Sequence, residues 1–344
     1  MAADIHGGMR VLITGGSGFV GLALAQALLE QGAEVVLFDR RPPPAAFLSA
    51  VQAHAGRLRA LQGDVCSDDD VQRACADGVT HVFHGAAITA GPEREVAQTL
   101  HVVEVNLKGA LRVLRAAADA GVRRFVYPSS LTVYGDAIHG AAPLTESGTP
   151  PAPDTLYGIT KYAAECAVLR LGRLHGMSVC AGRIGSVFGP WEGETGARDL
   201  VSPFAQIAAA AARGEPVVLP GRYPAREMIY APDLAAGLIA LLSAQRPAHP
   251  YYNLSANLDW DDTLGRWCGA LAARLPGFAW RYAEAGQAPT IEFYGATPRV
   301  SMDATRARDD LGFKPRYARD AALAHYADWV ATHAGFFTFR AGKG

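Results

Sequence analysis

Metal binding, secretion and membrane insertion each demand residues that this sequence has few of. Cysteine is scarce, with five in 344 residues: Cys66, Cys75, Cys166, Cys180 and Cys268. The number is odd and no two form a C-x-x-C, so no disulfide framework is expected, and the thiols read as free in a reducing compartment. The ten histidines form no H-E-x-x-H, and no Cys/His set has zinc spacing, so no metal is expected. Neither sign of charge dominates: 32 basic and 33 acidic residues leave a net charge of −1. The basic surplus by which nucleic acid or an anionic membrane is held is missing, so neither is an expected partner. No apolar run approaches the roughly 18 residues of a membrane span. The opening MAADIHGGMR lacks the basic and apolar parts of a signal peptide, and the expected location is cytoplasmic. There is no heptad run, no internal repeat and no low-complexity tail.

What is present suits a large core. Half of the residues are hydrophobic and 19% are charged, enough for about two domains or one large α/β unit. The first half alternates strand-like and helical runs. Arg10–Thr14, Ala33–Phe38, Val79–Phe83, Arg124–Tyr127 and Ser178–Ile184 are short and β-branched. Between them, Phe19–Gln31, Asn106–Ala120 and Tyr157–Leu174 have helical spacing. Such alternation predicts a parallel sheet covered on both faces. After a Gly/Pro-rich stretch with one Ala-rich helix, about Ser202–Arg213, Glu227–Ala231, Asp233–Ser243 and Tyr251–Leu254 return to that pattern. The last third is mostly helical.

The stretch VLITGGSGFVGLALAQALL carries the first chemical signal. Gly15, Gly18 and Gly21 follow a strand and open a helix. In that context the first glycine allows a tight turn, the second lets backbone approach a pyrophosphate, and the third lets helix and strand pack closely. The N–H groups of the helix start then face the phosphates. Asp39 ends the next strand and would accept from a ribose 2′-hydroxyl, which favours NAD; Arg40 and Arg41 follow it and would suit the 2′-phosphate of NADP, the alternative. In GDV, Asp64 is placed either beside an adenine amino group or as an ordinary N-cap. HGAA brings small residues, Ala86 and Ala87, to the end of another strand, and His84 there reads as structural.

YGITK places Tyr157 and Lys161 on one face of a helix start. A free tyrosine titrates near pH 10, too high for a base at neutral pH. An ammonium and an oxidised nicotinamide ring would both stabilise its phenolate. The pair therefore suits taking the proton of an alcohol whose hydride leaves to the cofactor.

With these motifs assembled, the chain resembles the extended short-chain dehydrogenase/reductases, the NAD-dependent epimerase/dehydratase family. The resemblance spans nearly the whole sequence: TGGSGFVG, Asp39, GDV, HGAA, the N-L-K-G of Asn106–Gly109, SSLTVYG, YGITK, RIGSVFGP, REMIYAPDLA, YNL and DDLGFKP. It implies a Rossmann-like doubly wound parallel sheet with a smaller C-terminal substrate domain. Residues 1–185 would bind NAD, with 227–254 returning to that domain; 186–226 and 255–344 would bind substrate. Catalysis would fall to Ser130, Tyr157 and Lys161. Cofactor contacts would come from Gly15, Ser17, Gly18, Phe19, Val20, Gly21, Asp39, Arg40, Asp64, Val65, Ala86, Ala87, Asn106, Tyr157 and Lys161. In an extended strand Ser129 and Ser130 point to opposite faces, so only one reaches a common site; the family pattern selects Ser130. Tyr134 would pack and hold the loop. Members of the family often pair their equivalents of Asn106–Ala120 and Tyr157–Leu174, which implies a homodimer.

SS-x-TVYG is similar to the UDP-galactose 4-epimerase version, with Thr132 beside the site. The dehydratases carry Asp-Glu where this chain has Leu131-Thr132, which argues against dehydration. Three nucleotide-sugar features are altered. Ser186 stands for the Asn of R-x-x-N-V-Y-G-P, Arg198-Asp199-Leu200 for N-N-L, and Arg299 in ATPRVSMD for the arginine of R-P-G-D. Arg226 matches the arginine of R-D-x-x-Y/H, and its guanidinium suits a phosphate or a carboxylate. Substrate contacts are thus expected at Thr132, Ser186, Asp199, Leu200, Arg226 and Arg299. The expected substrate is a sugar-like secondary alcohol: a nucleotide sugar, or a non-nucleotide sugar acid or polyol. An epimerase and a net dehydrogenase share these motifs, and a non-catalytic NAD(P)-binding protein is the contrasting class.

Overall fold

A computed structural model of the chain describes residues 8–221, 223–258, 260–293 and 297–337. The N-terminal part of the stretch read for a signal segment, residues 1–7, and the ends of the expected domains lie outside the described residues. Eleven strands occur among the described residues: β1 (Arg10–Thr14), β2 (Glu34–Asp39), β3 (Leu58–Gln62), β4 (His81–His84), β5 (Arg124–Ser130), β6 (Ser178–Ile184), β7 (Ser186–Phe188), β8 (Val217–Leu219), β9 (Met228–Tyr230), β10 (Tyr251–Leu254) and β11 (Trp280–Tyr282).

Seven of them form one parallel sheet in the order β10-β6-β5-β4-β1-β2-β3. The order turns back at β1 and β4, and a crevice opens beyond their carboxyl ends, the place where open α/β sheets bind ligands. One face is covered by the helices Phe19–Glu30 and Ala231–Ser243, whose Leu22, Leu28, Leu234 and Leu238 pack on Val11, Ile13 and Val35. The other carries Asp68–Cys75, Ala110–Asp119 and Leu156–Leu174 over Leu12, Val82 and Phe125. With both faces covered, the central strands read as unbroken apolar runs. A third core joins Phe188, Phe204, Trp267 and Tyr326 across the helices Pro203–Ala212, Thr263–Ala272 and Arg319–Thr332.

Three elements depart from expectation. β5 runs to Ser130 rather than stopping at Tyr127, because β6 lies beside it as far as Ile184 and continues the pairing past Pro128. The helix expected from Asn106 begins at Thr99 and passes through a π-helical turn, Glu104–Gly109. That turn sets the Asn106 side chain inward, where it bonds to the backbone of Ile88. The strand in EMIYA pairs with β7 in a two-stranded sheet of its own, although the helix after it does pack on the main sheet. No helix among the described residues is long and apolar enough to cross a membrane.

Candidate active site

One cleft of about 810 Å³ runs along the carboxyl ends of the central strands. Its floor begins at the glycine turn. Gly15 has φ +67°, a left-handed conformation, and a Cβ there would lie 2.7 Å from Ala86 N. A Cβ on Gly21 would lie 2.5 Å from Gly15 O, so helix and strand meet backbone to backbone. Gly18 is the N-cap of Phe19–Glu30 and offers no side-chain cap, which leaves the first N–H groups facing the cleft. A side chain at Gly15 or Gly21 would strike backbone, so the turn stays tight, and its bare backbone on the cleft suits close approach by a pyrophosphate.

Asp39 stands at one end of the cleft, its carboxylate accepting from Ser17 N at 3.2 Å and Arg41 N at 3.1 Å. Phe19, Val20, Arg40, Asp64, Val65, Ala86 and Ala87 line the same wall. Ser17 does not: its hydroxyl donates to Arg41 O at 2.9 Å, and the residue is 4% exposed. Asn106 also stands behind the wall. Its amide accepts from Ile88 N at 2.7 Å and donates to Ile88 O and Thr160 Oγ1. It shapes the loop after β4 and leaves the cleft to Ile88. The N-cap role weighed for Asp64 belongs to Ser67, whose hydroxyl accepts from Asp70 N.

Ser130, Thr132, Tyr157 and Lys161 line the middle of the cleft. Thr132 donates to Ser130 Oγ from its N–H at 3.2 Å and from its hydroxyl at 3.0 Å. Ser130 therefore keeps its own hydrogen for an acceptor in the cleft. Tyr157 and Lys161 share the first turns of Leu156–Leu174, whose N-cap Thr155 accepts from Gly158 N. The Lys161 ammonium lies 4.2 Å from the Tyr127 ring centroid and is enclosed by protein. Burial pushes its pKa down to about 7, against the opposing charge of Glu165. Glu165 is held in turn by a buried fork from Arg183 at 2.7 and 3.1 Å. Burial, helped by the Lys161 charge, drives His84 down to about 3; it stays neutral and bonded to Thr14 Oγ1. Tyr134 is wholly buried, donating to Asn253 Oδ1 at 2.7 Å and accepting from Arg183.

Beyond this centre, Ser186, Arg226 and Arg299 face the cleft together. Arg299 donates to Ser186 Oγ at 3.4 Å, and Arg226 to Thr297 O at 2.7 Å. Burial and then the Arg299 charge bring Arg226 down to about 10. Beneath them Glu227 accepts from Ser186 N at 2.8 Å and from Ser255 Oγ, and burial pushes it up to about 7. The cleft also has an apolar lining: Val187, Val201, Phe204, Met228, Trp260 and Phe293. None of these six was expected at the site; chain crossings far apart in sequence assemble them. Of the expected substrate contacts, one leaves the cleft wall and one stays on it with its carboxylate engaged. Leu200 is not part of the cleft wall. Asp199 reaches it but bonds to Gly91 N and Arg94.

Residues 11–255 match the model of the NAD dependent epimerase/dehydratase family. The chain belongs to that family. It is an NAD-dependent enzyme of the extended short-chain dehydrogenase/reductase type, and the glycine cradle and Asp39 fit that cofactor. A 3 beta-hydroxysteroid dehydrogenase/Delta 5→4-isomerase of Mycobacterium tuberculosis is 32% identical, over 91% of this chain and 88% of its own. A dTDP-glucose 4,6-dehydratase of Streptomyces niveus is 27% identical, over 93% and 92%. Among solved structures, the dTDP-glucose 4,6-dehydratase DesIV of Streptomyces venezuelae, with NAD bound, superposes with a TM-score of 0.74 at 25% identity, covering 96% of this chain and 99% of that one. The family thus includes members named for steroid and for nucleotide-sugar substrates.

Proposed function

We propose that this family member interconverts a secondary alcohol and a ketone on a sugar-like substrate, nucleotide sugars included, with Ser130, Tyr157 and Lys161 as its working residues. The observation that supports this is their common position in one cleft with the glycine cradle. NAD, when bound, supplies the hydride acceptor. Tyr157 Oη takes the alcohol proton and returns it to the ketone oxygen on reduction. Lys161, one helical turn on, supplies positive charge from a site shut off from water. Ser130 donates to the substrate oxygen, oriented by the two bonds from Thr132. On this reading Arg226 and Arg299 take an anionic group of the substrate, a diphosphate or a carboxylate. The apolar wall of Phe204, Met228, Trp260 and Phe293 packs a flat ring.

A second reading, net dehydrogenation of a sugar acid, is favoured by Ser186, since it places a short hydroxyl where the family's nucleotide-sugar members carry a longer amide. Candidate UDP-sugars, free uronic acids and hydroxysteroids, each offered with NAD, separate the readings. Stereoisomers interconverting without NADH accumulation mark an epimerase; stoichiometric NADH marks a dehydrogenase. Full activity of Tyr157→Phe on any substrate so found would overturn the assignment.

The assembly we infer is a homodimer through the helices that carry Leu100 and Ile159, which expose 84% and 46% of their surface in the single chain. A monomeric mass by light scattering would remove it.

A further inference from the structure

Asp199 spends its carboxylate on a contact across the cleft. Oδ2 accepts from Gly91 N at 2.7 Å, and Oδ1 accepts from Arg94 Nη1 at 2.9 Å. Arg94 Nη1 also donates to Gly196 O at 2.8 Å. Thr89 N donates to Ala197 O at 2.7 Å, and Thr89 and Arg198 pair as a parallel bridge. Residues 195–199 therefore lie along 89–91 like a short added strand.

Both segments line the cleft. Residues 89–91 continue directly from Ala86 and Ala87 on the cofactor side, and 195–199 lead to the substrate side. The far end of the strap is anchored too. Glu192, 1% exposed, accepts from Ser202 N at 2.8 Å and from Ser202 Oγ, and pairs with Arg198 at 3.3 Å. Ser202 in turn caps the helix Pro203–Ala212. The near end touches the catalytic helix: Glu95, next to Arg94, accepts from Tyr157 N at 3.3 Å. Exposed ion pairs contribute little. Here the Arg94 side chain is 17% and that of Asp199 38% exposed, so the pair draws on geometry rather than burial: one guanidinium nitrogen serves two acceptors on the strap.

We infer that Arg94 and Asp199 form a latch that holds the strap 195–199 against 89–91 and slows release of the dinucleotide from the cleft. The inference rests on NAD occupying this cleft, as the proposed function requires.

The test follows cofactor release without any substrate. Protein loaded with NADH is mixed with excess NAD in a stopped-flow instrument, and the loss of bound-NADH fluorescence is recorded. Wild type should release slowly and keep its cofactor through gel filtration. Arg94→Ala and Asp199→Asn should release about tenfold faster, the size of one lost charge-assisted hydrogen bond. The exchanged pair R94D/D199R should recover part of the difference. Arg94→Lys, the mildest change, keeps the charge on a shorter-reaching point donor and should fall between. Ser130→Ala should lose turnover yet release NADH as wild type does, so a failed catalytic assignment leaves this readout intact. Release at the wild-type rate in Arg94→Ala and Asp199→Asn, or a wild type that exchanges as fast as they do, overturns the latch. Melting temperatures of the cofactor-free variants distinguish a lost latch from a lost fold.

Discussion

The Lys161 ammonium stands 4.2 Å from the centre of the Tyr127 ring, in a position that admits almost no water. The aromatic face gives back part of the lost hydration, but burial still brings the lysine down to about 7. On the proposed roles, positive charge is held beside a proton-transferring tyrosine at a cost in stability.

That cost has a sign and a window. The folded pKa lies below the unfolded value of about 10.4, so the unfolded chain binds this proton more tightly. The contribution to stability is intact above about pH 10.4 and is lost as pH falls toward 7. Lys161→Met should therefore stabilise the cofactor-free protein, by on the order of a few kcal/mol, and more at pH 6.5 than at pH 9.5. Urea unfolding at the two pH values measures this; an equal gain at both would contradict the burial argument.

The two adjacent serines of β5 should behave oppositely. On the proposed role of Ser130 as donor to the substrate oxygen, Ser130→Ala should lower kcat on the order of a hundredfold. Ser129 also reaches the cleft wall, against the expectation that only one serine would, but it is 3% exposed and its hydroxyl has no partner among the described residues. Ser129→Ala should leave kcat within about twofold of wild type, since a buried hydroxyl with no partner contributes nothing to lose. Steady-state kinetics on a turned-over substrate decides it.

Cofactor choice should follow Asp39. Its carboxylate already holds Ser17 N and Arg41 N, so Asp39→Asn keeps the shape and removes the charge. NAD affinity should fall and NADP affinity should rise, narrowing the preference by about tenfold or more. Isothermal titration with both dinucleotides would show this, and an unchanged ratio would move the discrimination to Arg40 and Arg41.

The Glu165–Arg183 pair should prove structural. Both side chains are buried, with the guanidinium forked onto the carboxylate. Glu165→Ala leaves a buried charge without its counter-ion and should cost ~3–5 kcal/mol. It also removes the charge that supports the Lys161 ammonium, so the pH profile of turnover should shift to lower pH in the same variant. Denaturant unfolding and the pH profile test the two halves separately.

The parts of this enzyme legible in the sequence are those whose meaning lies within a few residues. A strand, a G-x-x-G-x-x-G turn and a helix are consecutive, so Gly15, Gly18 and Gly21 announce their cradle. Tyr157 and Lys161 are one helical turn apart, so spacing alone puts them on one face. Asp39 ends a strand whose β-branched run is plain. Each of these depends on local geometry, which neighbouring residues determine.

Other outcomes depended on partners distant in the chain. Nothing near Asn106 says that Ile88 will occupy its amide, and nothing near Asp199 says that Gly91 and Arg94 will take its carboxylate. Ser17 and Leu200 sit in the right motifs and still miss the cleft wall. The strand in EMIYA has the pattern of a main-sheet strand and found β7 instead. The low pKa of Lys161 required a closed shell of protein around it. Local sequence determined the fold class, the dinucleotide turn and the Tyr-Lys pair, because backbone conformation and side-chain periodicity are short-range. Only the tertiary structure decided which polar groups face the cleft and which are consumed holding it together, because burial and long-range hydrogen bonds exist only once the chain has closed on itself.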